Sequence, residues 1–184
     1  MIGPVVVGHP ATPSELITIG QAPGDKEPKL GRPFAWTAGK TLFKWFASLG
    51  VDEATFRRKV WMAAVCRCFP GKNPKGGDRV PSDVEVAACR SWLLDELAIL
   101  RPQLLVPIGK LAIEQVFGVS RPLVEVIGQR HTATIDGHDY DVIPLPHPSG
   151  ASTWHRMEPG LTLLVKTLDL LGKHPAWRTM KARP

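Results

Sequence analysis

Short apolar segments alternate along this chain with longer segments whose apolar residues recur at helical spacing. The short segments are predicted to be buried strands over residues 16–20, 60–66 and 104–108. Helices are predicted over residues 37–49 and after Ser82, where Ser82 and Glu85 have the spacing of a capping box. Strands and helices in alternation indicate an α/β protein, in which helices cover the faces of a sheet.

The last third of the chain predicts a hairpin followed by one more helix. Residues 131–135 and 140–145 have strand character and flank an Asp-Gly pair, which favours a tight turn. Apolar residues over 161–171 predict an amphipathic helix, and the basic tail from about residue 174 is expected to fray. We therefore expect a three-layer α/β/α sandwich with a central, mainly parallel four-stranded sheet.

The composition indicates an ordinary globular protein that carries a positive charge. The chain has 184 residues, so a single domain spanning residues 1–184 can bury a sizeable core. Its net charge of +6 favours a polyanionic partner, because Lys and Arg bind phosphate groups. No apolar run is long enough to cross a bilayer, and three cysteines do not suggest a disulfide framework. We expect a cytoplasmic monomer with no membrane partner.

Two polar loops follow predicted strands and are the places where chemistry is expected. The sequence GQAPGD begins at Gly20, at the end of the first strand, and HPSGASTWHR begins at His147, after the last one. In open α/β sheets the ligand crevice lies beyond the carboxyl ends of the strands. The two loops are therefore predicted to contribute to one binding site.

Four motifs in and near these loops resemble those of the uracil-DNA glycosylase superfamily. They are GQAPG at residues 20–24, GRPF at 31–34, Ala38-Gly39, and HPS at 147–149. Their order and spacing are most similar to the family 4 branch, and the resemblance extends over about residues 16–172. It implies a monofunctional enzyme that flips uracil out of DNA and hydrolyses its glycosidic bond, leaving an abasic site.

The resemblance assigns roles to residues of both loops. A neutral His147 would donate a hydrogen bond to the departing base, where negative charge develops; a loop histidine satisfied by its neighbours is the alternative. Phe34 would stack on the flipped base, with core packing as the alternative. Small residues are predicted to form the rest of the base pocket: Gly20, Ala22, Ala63 and Ala64. Contacts to DNA are predicted for Pro23, Gly24, Pro148, Ser149, Trp154 and Arg156.

Trp154 and Arg156 lie where the superfamily fills the gap left by the flipped base. Trp154 is a candidate for that wedge, and a cap on the last helix is the alternative for its side chain.

The sequence leaves open which group positions the attacking water. Ala22 cannot serve, although some members of the superfamily carry an acidic or Asn residue in this motif. Gln21, Asp25 or Glu27 must act instead, unless the backbone holds the water. Asp25 directly follows the motif and is our first choice, with a solvated turn carboxylate that caps a helix as the alternative.

Two departures from the family 4 pattern change the expected cofactor and substrate range. That branch holds an iron–sulfur cluster with four cysteines, whereas residues 1–65 contain none here, so we expect no metal and no cofactor. The branch often carries an Asn that reads the uracil edge, where this chain has Ala63 and Ala64. Selectivity is therefore expected to relax towards hypoxanthine or xanthine, unless Asn73 of the following loop compensates.

Two other functions fit parts of the pattern. One is a catalytically weak protein of the same fold that binds damaged DNA without turning it over. The other is a flavodoxin-like protein that binds a small ligand, which an α/β architecture alone would permit. Release of base from uracil-containing DNA would distinguish an enzyme from the damage-binding protein. A bound flavin would identify the flavodoxin-like protein.

Overall fold

The computed structural model describes residues 1–8, 10, 14–74 and 76–183. Its strands are β1 (Leu16–Gly20), β2 (Trp61–Ala64), β3 (Leu104–Pro107), β4 (His131–Ile135) and β5 (His138–Val142). Its helices are α1 (Glu27–Leu30), α2 (Thr37–Ser48), α3 (Glu53–Lys59), α4 (Asp83–Leu100), α5 (Lys110–Phe117), α6 (Leu123–Val126), α7 (Gly160–Lys173) and α8 (Pro175–Ala182). None of the helices in this part of the chain combines the length and the apolar character required to span a membrane.

A single five-stranded sheet, in the order β2-β1-β3-β5-β4, lies in the middle of the protein. Strands β2, β1, β3 and β5 are parallel, and β4 pairs antiparallel with β5 at one edge. The prediction of four strands was short by one, because both strands of the hairpin join the sheet. β5 pairs directly with β3, and β4 extends the sheet beyond it.

The side chains of the sheet alternate between two faces, and helices cover each face. Leu104 and Val106 of β3 lie in a core with α2, α3, α7 and α8, whereas Leu105 lies in a second core with α4 and α5. This alternation has the period of two that a strand imposes on its side chains. The predicted three-layer α/β/α sandwich is confirmed.

The C-terminal tail is an ordered helix, so the prediction that it frays was wrong. In α8, Ala176, Trp177 and Met180 are buried, and the Trp177 ring lies 5.3 Å from that of Phe46. The side chain of His174 caps the helix by accepting a hydrogen bond from the N–H of Ala176 at 3.2 Å. The basic residues of the tail lie on the outer face of α8, and its apolar residues complete the core. Pro184 lies outside the described residues.

We expect Trp177→Ala to lower the free energy of unfolding by about 3–5 kcal/mol, because it removes a fully buried indole from the core. Chemical denaturation at neutral pH measures the change. Arg178→Ala, at an exposed position of the same helix, is the matched control and should leave stability nearly unchanged. Equal stability of the two variants would show that α8 does not dock.

The carboxyl ends of β1, β2 and β3 lie side by side. Gly20 of β1 pairs with Ala64 of β2, and Ile108, just after β3, pairs with Leu145. The connection from β1 to β2 runs through α2 on one face, and the connection from β2 to β3 runs through α4 on the other. The chain thus changes faces around β1, and a crevice opens at such a switch point.

Candidate active site

A cavity of about 610 Å³ opens at the carboxyl ends of β1 and β2. It lies between the loop after β1, the loop that leads into α2, the loop after β2 and the loop that begins at His147. Most of the predicted site residues line it: Gly20, Gln21, Ala22, Pro23, Gly24, Asp25, Phe34, Ala63, Ala64, His147 and Ser149. Pro148, Trp154 and Arg156 are not part of its lining.

The floor of the cavity is made of small residues and one aromatic ring. Gly20 and Ala64 are register partners at the ends of neighbouring strands, and Ala63 precedes them on β2. A Cβ placed on Gly20 would lie 3.3 Å from two carbons of the Phe34 ring. The missing side chain at Gly20 therefore lets the Phe34 ring lie against the strand end, while the two alanines leave room beside it.

The backbone of Phe34 is held in an uncommon conformation. Its φ is +51°, in the left-handed region that non-glycine residues seldom adopt. Arg57 of α3 secures it: Nη1 donates to the carbonyl of Pro33 at 2.8 Å and Nη2 to that of Phe34 at 3.1 Å. The carbonyl of Phe34 lies so close to Gly39 that a Cβ there would be 1.7 Å from the oxygen. The GRPF and Ala-Gly motifs are therefore one structural unit.

Glu27 joins the loop after β1 to the loop before α2. One of its carboxylate oxygens accepts the N–H of Gly24 and the other accepts the N–H of Ala35, both at 3.1 Å. The residue is only 8% exposed, and burial raises the pKa of its carboxyl, which the two N–H groups oppose. Because main-chain donors occupy both oxygens, Glu27 acts as a brace between the loops.

His147 is restricted to one tautomer by its own loop. The main-chain N–H of Ser149 donates to its Nδ1 at 3.2 Å. A ring nitrogen that accepts a hydrogen bond carries no proton, so the neutral ring has its proton on Nε2. Burial lowers the pKa of His147, and the nearby His155 lowers it further. The cavity thus contains a neutral imidazole whose Nε2–H is a donor.

Asp25 is paired with a lysine at the edge of the cavity. Its Oδ2 lies 2.9 Å from Nζ of Lys72, which also contacts Asp78 at 2.9 Å. The hydrogen bond from Lys72 lowers the pKa of Asp25, so its carboxylate is ionised at neutral pH. The side chain is 31% exposed and is therefore open to solvent, unlike that of Glu27.

Comparison with known proteins agrees with the motif pattern. A family model described as the uracil DNA glycosylase superfamily matches residues 7–172. The chain belongs to this superfamily. It is 32% identical over 145 residues to the type-4 uracil-DNA glycosylase of Thermotoga maritima, a match that covers 79% of this chain and 70% of that protein.

Two further relatives represent two types of uracil-DNA glycosylase. The type-4 enzyme of Archaeoglobus fulgidus is 30% identical over 140 residues, covering 74% of this chain and 66% of that protein. The type-5 enzyme of Pyrobaculum aerophilum is 27% identical over 163 residues, covering 77% and 66%. The matched segment thus spans about two thirds of the length of these relatives, and the predicted likeness to family 4 members of the superfamily is confirmed.

The cysteines of this superfamily member do not fit an iron–sulfur cluster, which needs four thiolates. The thiol of Cys66 is buried and donates to the main-chain carbonyl of Glu85 at 3.6 Å. Burial and the neighbouring Cys89 raise the pKa of Cys66 to about 12, which keeps the thiol protonated. Within the described residues, no group of three or more His, Cys, Asp or Glu side chains is arranged to hold a metal ion.

The predicted residues that fall outside the cavity have other surroundings. Trp154 packs against a small core formed by Ile113, Val126 and Ile127, and its main chain lies close to Gly160 of α7. Nε of Arg156 points to the neighbouring His155 ring at 3.4 Å. The packing of Trp154 favours the helix-capping alternative, and the DNA contacts of Pro148, Trp154 and Arg156 stay predictions. Asn73, the proposed compensating amide, is also absent from the cavity lining.

Several residues of the cavity lining were not predicted from the sequence, among them Trp36, Asp78 and Arg79. Trp36 directly follows GRPF and Ala35, and its position so close to a predicted site motif was a sequence signal for a place in the cavity. Arg79 is anchored by Glu85, whose carboxylate accepts its Nη1 at 2.7 Å and its Nη2 at 2.5 Å. Asp78 and Arg79 belong to a Gly-rich loop, and no periodic pattern shows which side of such a loop faces a cavity.

We expect Gly39→Ala to lower the free energy of unfolding by about 1–3 kcal/mol, because its Cβ cannot coexist with the Phe34 carbonyl. Thermal unfolding measures the change. Gly150→Ala is the control, since a Cβ at Gly150 meets nothing within 4 Å. Unchanged stability of Gly39→Ala would mean that the two motifs do not pack as one unit.

We expect the imidazole of His147 to be neutral, with its proton on Nε2, and to titrate below the ordinary value of 6.5. Nitrogen-15 NMR of the histidine side chains across a pH series distinguishes the tautomers and gives each pKa. The resonances are assigned by comparing wild type with His147→Gln. An Nδ1–H tautomer, or a His147 pKa at or above the ordinary value, would contradict the assignment.

Proposed function

We propose that this chain is a monofunctional DNA glycosylase that excises uracil from DNA by hydrolysis and leaves an abasic site. The observation that carries the proposal is the Nε2–H tautomer of His147 in the same cavity as Phe34. An aromatic ring and a neutral donor in one cavity suit a flat base that must leave with negative charge. Its partner is uracil-containing DNA, and we propose that the protein acts as a monomer.

The proposed reaction begins with extrusion of the target nucleotide into the cavity. A base inside a duplex cannot reach residues at the floor of a cavity, so the nucleotide must rotate out of the stack. Phe34 would then stack on the base, and Gly20, Ala63 and Ala64 would leave space for it. Because Arg57 and Gly39 hold the Phe34 loop, this surface is formed before the base arrives.

In the proposed chemical step, water adds to C1′ of the sugar as the bond to the base breaks. The base leaves with the bonding electron pair and takes up the proton that the water loses. Nε2–H of His147 would donate to a carbonyl oxygen of the base, where the negative charge develops. A neutral donor fits this task, since the low pKa of His147 lets the ring keep its Nε2 proton and remain uncharged.

Positive charge on the sugar requires a second group, for which we retain Asp25. Its carboxylate is ionised and partly exposed in the cavity, where it can hold a water molecule and oppose the developing positive charge. Glu27 is less suited to this role because both of its oxygens accept main-chain N–H groups. Gln21 also lines the cavity and is the alternative ligand for the water.

We propose a substrate range wider than uracil. Ala63 and Ala64 line the floor of the cavity and carry no amide that could pair with one particular base edge. The cavity of about 610 Å³ has room for a purine as well as for a pyrimidine. Hypoxanthine and xanthine, the deaminated purines, are the further substrates that this lining would accept.

We expect His147→Ala to slow base release about 10²–10³-fold at saturating DNA, the effect of losing one donor to a developing anion. The measurement is release of free base from oligonucleotides that carry U:G, U:A, single-stranded uracil, hypoxanthine or xanthine. His138→Ala, an exposed histidine on the distant hairpin, is the matched control and should retain the wild-type rate.

The same assay compares Asp25→Ala with Glu27→Gln. If Asp25 holds the water, Asp25→Ala should lower the rate of base release at saturating DNA and have the melting temperature of wild type. Glu27→Gln should lower both the rate and the melting temperature. Base release that is unaffected by His147→Ala would overturn the mechanism. If the wild-type protein binds uracil-containing DNA tightly but releases no base, the second candidate, a damage-binding protein, is favoured. The observation behind this alternative is that Ala63 and Ala64 stand where the family often has an Asn.

A further inference from the structure

The mouth of the cavity carries an exposed tryptophan that the proposed mechanism does not use. Trp36 is 53% exposed and lines the cavity. Among the large hydrophobic side chains that are exposed in the described part of the chain, it is the one that belongs to the cavity lining. A large indole left in water beside a ligand site costs free energy unless a partner covers it in the bound state.

Trp36 stands on a backbone that is anchored on both sides. The N–H of the preceding residue, Ala35, is bound by Glu27, and the carbonyl of Trp36 accepts the N–H of Lys40 in the first turn of α2 at 3.2 Å. Phe34, two residues earlier, is held by Arg57. The indole is therefore presented by a fixed loop, so contact with a ligand orders little that is not already ordered.

Phe34 and Trp36 occupy different depths of the cavity. The Phe34 ring lies against the end of β1, since a Cβ on Gly20 would be 3.3 Å from its atoms, and the residue is partly buried. Trp36 is exposed at the opening. A base that enters the cavity would contact Phe34. A base that stays in the strand, next to the extruded nucleotide, would lie at the opening, where Trp36 is.

In the described part of the chain, the loop that begins at His147 adds no large apolar side chain to the cavity lining. Besides His147, the loop that begins there contributes Ser149, Ala151 and Ser152 to the lining, all three of them small. Trp154, the large residue of that loop, packs against the core around Val126. Within the described residues, Trp36 is thus the side chain at the mouth with the area to cover a base.

The segment that carries Trp36 also has charges that suit a nucleic acid. Residues 26–44 contain five basic side chains, Lys26, Lys29, Arg32, Lys40 and Lys44, and all five are exposed. Glu27 of this segment is buried, and Asp25 just before it is partly exposed and paired with Lys26 and Lys72. An exposed aromatic ring among exposed cations is the arrangement with which proteins hold a strand, because cations bind the phosphates and the ring stacks on a base.

From these observations we infer that Trp36 stacks on the nucleobase next to the extruded nucleotide and so holds the strand at the lesion. The inference rests on the proposed function for the identity of the ligand as DNA. Trp36 acts in binding and not in the chemical step, since Phe34 and His147 act on the extruded base. Removing the indole should therefore weaken binding about ten-fold or more, the effect of losing one base–aromatic stack.

The test uses Trp36→Ala and Trp36→Phe, with Trp92→Ala as the matched control. Trp92 is 62% exposed on α4 and is not part of the cavity lining. Each protein is titrated with a uracil oligonucleotide that has 2-aminopurine beside the uracil, and binding, 2-aminopurine fluorescence and single-turnover base release are measured. Melting temperatures confirm that the variants are folded.

We expect Trp36→Ala to weaken binding about ten-fold, to keep the saturating single-turnover rate, and to lose the quenching of 2-aminopurine that stacking on the indole produces in wild type. Trp36→Phe should restore most of the binding, and Trp92→Ala should match wild type. Unchanged binding and fluorescence in Trp36→Ala would overturn the inference, and so would a loss confined to the saturating rate. If wild type binds this oligonucleotide through Trp36 but releases no base, the proposed enzyme fails while the stacking role stands.

Discussion

The carboxylate of Glu27 is the contact on which the geometry of the cavity depends most directly. It accepts one main-chain N–H from Gly24 and one from Ala35, so a single side chain links two loops that are separated by α1. Burying a carboxylate is costly unless its oxygens are satisfied, and here both oxygens have donors. This link therefore gives the loop after β1 and the loop that holds Phe34 a shared anchor at the cavity.

The remaining parts of the site are held by contacts of the same kind, in which a side chain meets a main-chain group. Arg57 donates to the carbonyls of Pro33 and Phe34, and the N–H of Ser149 donates to His147. The loops that carry Phe34 and His147 are therefore anchored to the main chain around the cavity.

The region around Cys66, where the chain departs from the family 4 cysteine pattern, is held by contacts of its own. Cys66 is buried, and its thiol donates to the main-chain carbonyl of Glu85, so it is part of the packing of this region. On the neighbouring segment, the main chain of Ile2 and of Val6 pairs with that of Phe69 and Arg67. Main-chain pairing and core packing thus hold this region together.

Local patterns determined much of this protein from the sequence alone. Periodicity located the strands and the three longest helices, and the capping box at Ser82 is present as predicted. The motifs identified the superfamily and many residues of the cavity lining. What the sequence could not decide were properties that depend on distant neighbours. The docking of α8, the brace formed by Glu27 and the exposure of Trp36 all arise from segments that meet only in the folded chain. Burial and charge pairing are properties of the surroundings, and the surroundings exist only once the tertiary structure has formed.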